Sequence, residues 1–587
     1  QAQQHVHGKV DTRLPDPALI VEALNALNPA IVANALNAHP EISERLSSLM
    51  PPSLGQPIAQ GLSGNPAFLG ELLKNLDAAP IAAALSAHTD FIYNLLSQIS
   101  PSVTAAMVRG SNRNPAFLAS VISNLDPNTV AGALNKATES INPTFMTDLL
   151  ANLGGAMGEA VSQGTTENWM AGKNFLEAVI RYLNPAVIAG AVNANPGFLK
   201  GFLAATSPTT AMYLARGINA NVDKQPMGQD LLSVLIANVS KDAAVAMAQG
   251  INQNVSQHGV ADNFLTGMLA NTSGPVGVAI ANGLNSNPGF IQSVVANISP
   301  DTAEAAAKAI NLSCQKAKAN PKYAFLRKLL ANLGPEAAAQ SAKGLEANRD
   351  IEPLVSNLLI KLNGPLVAED LVAGLNANAS SKHLIKGVLA NLNATTGVTI
   401  AIALNANQKM TEWMLGALDP KGIADLLKDN TPFLSSLISN LDGSVIAEAI
   451  NQEYQFSSKE EPNDKPFLEA LMAEMNGADT AKLLNEYGFN FISGLVENLN
   501  GEMVAKAINE SPKAVDFLSE LIAYMDPYDV AALTSRSNPN GALKDLWIYV
   551  VVYWSNLNFG QWDSYLVYKM LDAGVWVPPN APDWPYW

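Results

Sequence analysis

One stretch decides how the chain folds: Asn114-Pro115-Ala116-Phe117-Leu118-Ala119-Ser120-Val121-Ile122-Ser123-Asn124-Leu125-Asp126-Pro127-Asn128-Thr129-Val130-Ala131-Gly132-Ala133-Leu134-Asn135. Asn followed by Pro is a helix-start signal, because the Asn side chain can cap free N–H groups and Pro suits the first helical position. In the sister stretch from Asn65, the residues Phe68, Leu69, Leu72, Leu73 and Leu76 fall on one helical face. A second start signal, Asp126-Pro127, follows at once. It opens a short helix through Val130-Ala131-Gly132-Ala133-Leu134, whose small residues let helices approach closely. The stretch predicts two short antiparallel helices.

Working outward, the same words recur. Asn65-Pro66-Ala67-Phe68-Leu69, Asn195-Pro196-Gly197-Phe198-Leu199 and Asn287-Pro288-Gly289-Phe290-Ile291 repeat the opening. Asn75-Leu76, Asn152-Leu153, Asn332-Leu333, Asn391-Leu392 and Asn440-Leu441 repeat the middle, and Ile251-Asn252, Leu284-Asn285 and Leu404-Asn405 repeat the end. The marker leucines run from Leu27 to Met525 in steps of about 23 to about 35 residues, roughly nineteen units in all. Isolated helices shorter than about 12 residues are marginal, so each must bury its Phe/Leu stripe against a neighbouring unit. The reading is an all-α fold: a superhelical α-solenoid of about nineteen short two-helix repeats with an aromatic-rich C-terminal cap. It divides the chain into an extended arm over 1–17, the solenoid over 18–535 and the cap or docking tail over 536–587. The Asn before each marker Leu reads as structural, bonding carbonyls at the helix end or bridging to the next unit.

Insertions fall at one point of the unit, between the second helix and the next Phe-Leu. Examples are Ile218-Asn219 to Leu231-Leu232, Ile251-Asn252 to Phe264-Leu265, Ile310-Asn311 to Phe325-Leu326, and Gln163 to Asn174. The charged segment Gln452 to Pro466 is another. In a stacked repeat one such point maps to one edge, which reads as a loop edge for partner proteins. After Ser535 the repeat dissolves into a segment carrying Trp547, Trp554, Trp562, Trp576, Trp584 and Trp587, while Trp169 and Trp413 are the other tryptophans. Trp is enriched in interface hot spots and at membrane surfaces, so these six read as a docking tail for a protein partner, with peripheral membrane contact as a further role.

Composition bounds the function. Of 587 residues only 15 % are charged, the net charge is −16, one residue is Cys and mean hydropathy is +0.10. A chain this apolar is not disordered. An acidic balance argues against nucleic acid. No apolar run reaches the ~18 residues of a membrane span. A single Cys excludes a disulfide framework. No H-E-x-x-H, P-loop or G-x-S-x-G occurs, so no catalytic residue, metal site or cofactor is expected and the protein reads as a non-enzyme. Cys314 reads as a bystander thiol, although Lys316 and Lys318 nearby could favour a thiolate. His5 and His7 read as part of a polar tail. Among the N-x-S/T sequons, the loop position Asn254 is the better glycan candidate, should the protein be secreted by a eukaryote. The start at Gln1 reads as a processed N-terminus, which predicts an extracytoplasmic protein: secreted, periplasmic or cell-surface.

The unit resembles α-solenoid repeats in general, the class that holds HEAT, armadillo and TPR proteins. It is shorter than these, and the TPR Trp-Leu-Gly-Tyr pattern is absent. It also resembles TAL-effector repeats, which pair two short helices but follow DNA with basic repeats, whereas this chain is acidic. The expected function is an extracytoplasmic scaffold that holds partner proteins in a larger assembly. The alternative is a carrier of a hydrophobic small molecule (lipid, quinone or pigment) in an apolar groove.

Overall fold

The computed structural model describes residues 17–42, 52–87, 98–125, 145–182, 185–378, 380–407 and 409–411, with a few isolated positions besides. The chain divides into two compact units, Gln1–Gln257 and His258–Trp587. Every regular element among the described residues is a helix, and the fold is an α-solenoid. The arm, the insertion Gln452 to Pro466 and the tail with its six tryptophans lie outside the described residues, except that Pro17 opens the first helix.

Leading helices carry the Phe-Leu pair in their first turn and stay short; Pro66–Asn75 and Pro115–Asn124 have 10 residues each. Trailing helices range from the 10 residues of Pro29–Ala38 to the 20 of Pro300–Ala319. Pro occupies the first turn of many, where its missing N–H costs nothing. Ser207 and Ser299 cap as expected, accepting from Thr210 and Thr302. Asn65 and Asn114 do not cap their own helices, because their carboxamides are turned elsewhere.

Packing partners differ from a stack of helical hairpins. Consecutive helices touch little, and each helix packs instead on the one three places along. In the first unit Phe145–Ala151 lies on Pro185–Ala194, Gly155–Met170 on Pro196–Ala205, Phe175–Tyr182 on Pro208–Lys224, and Pro185–Ala194 on Leu231–Asn238. In the second unit Gly274–Ser286 lies on Phe325–Asn332, Pro288–Asn297 on Pro335–Ala347, and Pro335–Ala347 on Ser381–Ala390. These pairs run parallel. In the last pair Gly387 meets the Pro335 carbonyl and Ala339, and further along both chains Glu346 accepts from the Asn393 N–H, so positions advance together. Three helices therefore complete one turn within each unit, and hydrogen bonds between turns span 35 to 57 residues of sequence. The sequence repeat is two helices and the turn is three. Since three is odd, a leading helix always rests on a trailing one.

That pairing explains the small residues. A β-carbon on Gly277 of a trailing helix would stand 2.6 Å from the carbonyl oxygen of Phe325 in the leading helix it meets. Gly344 stands in the same relation to Gln292, at 2.5 Å. Leading helices supply the bulk: Phe117, Val121, Ile122, Leu125, Phe175 and Val179 share one core with Leu76.

The inserted segments differ from the sequence-based expectation in two respects. They are mostly helix, not loop: the trailing helices simply continue, to Lys224, His258, Ala319 and Met170. Nor do they share one edge. Gly155–Met170 packs on Pro196–Ala205, whose Lys200 and Leu203 meet Gly250 of Lys241–His258, whereas Pro208–Lys224 belongs to the column of Phe175–Tyr182. With three helices per turn, successive trailing helices end at different corners.

Candidate functional site

The polar groups of the described residues converge on one recurring constellation, an asparagine lattice between turns. Many trailing helices carry, at the end of their common length, a small residue, Leu or a relative, Asn, any residue, then Asn. Ala191-Val192-Asn193-Ala194-Asn195 and Gly283-Leu284-Asn285-Ser286-Asn287 are examples. The first Asn clamps forward. Asn193 Nδ2 donates to the Asn238 carbonyl at 2.6 Å, and the Ser240 N–H donates back to Asn193 Oδ1 at 2.7 Å. Asn37, Asn112 and Asn285 hold Asn75/Asp77, Asn152/Gly154 and Asn332/Gly334 in the same way. A carboxamide has the donor and acceptor of a peptide group, so it pairs with two backbone groups that straddle the marker Leu.

The second Asn clamps backward. Asn378 Nδ2 donates to the carbonyls of Leu330 and Leu333 at 2.6 and 2.8 Å, and Asn407 does so to Leu359 and Leu362 at 2.7 and 2.9 Å. These carbonyls are among the orphans of a helix C-terminus, and burying them unpaired would be costly. The remaining Asn, just before the marker Leu, folds back on its own helix: Asn75 on Glu71, Asn297 on Ser293, Asn440 on Ser436. Sequence reasoning foresaw a structural role for that last Asn but missed that the bridge to the next turn belongs to the Asn-x-Asn pair. The two-residue spacing was its visible signal.

The lattice removes Asn254 as a glycan site. It lies within a helix, fully buried, and its Nδ2 donates to the carbonyls of Leu203, Ala204 and Thr206. Cys314 is buried too, beside Asp370, which Arg327 holds through Nε and Nη2 at 3.1 and 2.8 Å. Burial first, then the Asp370 carboxylate and its hydrogen bond, push the thiol far above its ordinary value against the weaker pull of Arg327. The thiol is the stable form, and the neighbouring lysines do not reverse that. Among the described residues no three His, Cys, Asp or Glu side chains come together as metal ligands, and no single helix is long and apolar enough to cross a membrane. His5 and His7 lie outside the described residues.

One surface cluster has the makings of a contact site. Trp169, half-buried near the end of Gly155–Met170, meets Tyr213 at 4.9 Å between ring centroids, and Arg216 lies 5.0 Å from the Tyr213 ring. Met170 beside it is 72 % exposed, and Met227, on the connection after Lys224, is 82 % exposed.

The geometry defines the class of the protein: a helical solenoid whose turns are stitched by asparagine carboxamides. No family model matches the chain, and no curated protein matches it. Among solved structures it is similar to an engineered protein at 12 % identity, over 91 % of this chain and 98 % of that one, with a TM-score of 0.24. It is similar to a chain of the SYS-1/POP-1 complex at 12 % identity, over 91 % and 99 %, with a TM-score of 0.22. It is also similar to a chain of the AP-3 complex at 12 % identity, over 95 % and 93 %, with a TM-score of 0.17.

Proposed function

We propose that the protein is a non-enzymatic scaffold that binds partner proteins along its solenoid surface, in an extracytoplasmic setting. The observation that carries this reading is the Trp169–Tyr213–Arg216 stack with exposed Met170 at its side. Trp, Tyr and Arg dominate interface hot spots, and Met adapts to varied apolar partners. A solenoid supports the reading physically, because it gains surface with each turn and needs no second core.

The test is the size of the native particle. Purified gently from its source, the protein should travel in a particle larger than its own 61.9 kDa. The Trp169→Ala/Arg216→Ala variant should shift it toward the free chain. A monomer that yields a lipid, quinone or pigment on organic extraction would overturn the scaffold in favour of the carrier. Fractionation of the source cells tests the compartment.

A further inference from the structure

We propose that one rim of the second unit is a docking surface for an acidic peptide segment of a partner protein. This rests on the scaffold reading and names the chemistry of one partner. The chain has 51 carboxylate side chains against 35 cationic ones, yet none of the 51 falls between Glu304 and Glu336. That interval holds Lys308, Lys316, Lys318, Lys322, Arg327 and Lys328. It is a local reversal of sign in an acidic molecule.

The fold gathers three of these charges around one turn. Lys316 Nζ donates to Asn271 Oδ1 at 2.9 Å and lies 4.1 Å from the centroid of the Tyr323 ring. A side chain at Gly274, three residues past Asn271, would meet Lys328 Cγ at 3.2 Å and the Lys322 carbonyl at 3.4 Å. Lys316, Lys322 and Lys328 thus border the turn that opens the helix Gly274–Ser286, whose N-terminus adds partial positive charge. Lys308 pairs with Glu304 and Arg327 with Asp370. Lys318, Lys322 and Lys328 are exposed and form no ion pair with a described residue. Charge complementarity to the C-terminus of Pro300–Ala319 would account for Lys316 and Lys318, which lie in its last turn, but not for Lys322 or Lys328 beyond it.

Exposed Lys318, Lys322 and Lys328, all within five residues of the half-buried Tyr323, fit carboxylates on a flexible strand. A peptide suits the site better than a nucleic acid or an anionic bilayer. With a net charge of −16 the whole protein repels an extended polyanion, whereas a short segment feels only the rim, since charges beyond about 8 Å are screened at physiological salt.

The experiment uses the full chain and a fluorescein-labelled oligo-glutamate, followed by fluorescence anisotropy at low and high salt. The wild type should bind in a salt-sensitive manner. The Lys318→Gln/Lys322→Gln/Lys328→Gln variant should bind about tenfold more weakly or worse, and the matching Lys→Arg variant should bind as the wild type does. Replacing Lys224 and Lys241 of the first unit by Gln should change nothing. No binding by the wild type, or equal loss from the first-unit replacements, overturns the proposal. Tighter binding to phosphatidylserine vesicles than to the peptide, lost in the same Gln variant, overturns the peptide in favour of a membrane. The particle-size test is separate: a scaffold that fails here keeps its assembly, and a monomer there sinks both.

Discussion

Leu19 and Phe68 hold the same place in the repeat, two residues after the Pro that opens Pro17–Ala26 and Pro66–Asn75. Phe68 is 4 % exposed and Leu19 is 62 % exposed. The marker residues behave alike: Leu76 is 6 % exposed and Leu27 is 44 %. Nothing in either helix differs enough to explain this. Phe68 is packed with Ala59, Leu62, Ile99 and Val103, drawn from neighbouring helices and the connection before Pro101. No described helix precedes Pro17–Ala26 by three places. Burial in this fold is conferred by the turns on either side, and an apolar stripe alone secures nothing.

Breaking that contrast is the strongest test. Phe68→Ala should cost about 4 kcal/mol, felt as lost amide protection in Pro66–Asn75 and Pro101–Arg113 by native-state hydrogen exchange. Next comes the lattice. Asn168 is fully buried, donates to the carbonyls of Ile122, Ser123 and Leu125, and accepts from the Phe175 N–H at 2.8 Å. Asn168→Ala strands several of these groups and should cost about 3 kcal/mol by the same readout in Pro115–Asn124 and Phe175–Tyr182. The steric contact is third: Gly277→Ala should lower stability by about 2 kcal/mol and loosen Phe325–Asn332, because the added methyl meets backbone that cannot move aside. Smallest is the other half of the opening pair. Leu19→Ala should stay within about 0.5 kcal/mol of wild type. A Leu19→Ala loss equal to that of Phe68→Ala would erase the difference between the first described turn and those that follow it.

Compact and extended repeats sharpen the lesson. Asn195 donates to Leu150 and Leu153 and accepts from Phe198, three residues on. Asn168 does the same with Phe175, and Asn221 with Leu231, across the inserted residues. The additional chain is accommodated after the Asn, so the clamp survives and the turn keeps its register. The insertion point was legible in the sequence as a change in spacing. Its helical form was not, since a trailing helix that simply runs on leaves no stop signal to read.

Helix type, the two-helix period, the Pro-marked starts and the Phe/Leu core positions were all legible along the chain, because each depends on residues within a few places of one another. The candidate contact cluster was legible only as a lone Trp169; its partners Tyr213 and Arg216 lie four helices further along the chain. The anticipated docking tail from Trp547 to Trp587 lies outside the described residues.

What the sequence determined by itself is the repeat and the helices within it, through local propensity, capping and periodicity. Only the tertiary structure decided which helix lies on which, and therefore which Asn bridges, where the insertions emerge and which lysines share a rim. The physical reason is that a repeat counts helices along the chain, whereas a neighbour is set by the rotation from each helix to the next. That rotation sums to a turn after three helices, a number written in the packing of side chains rather than in any one unit.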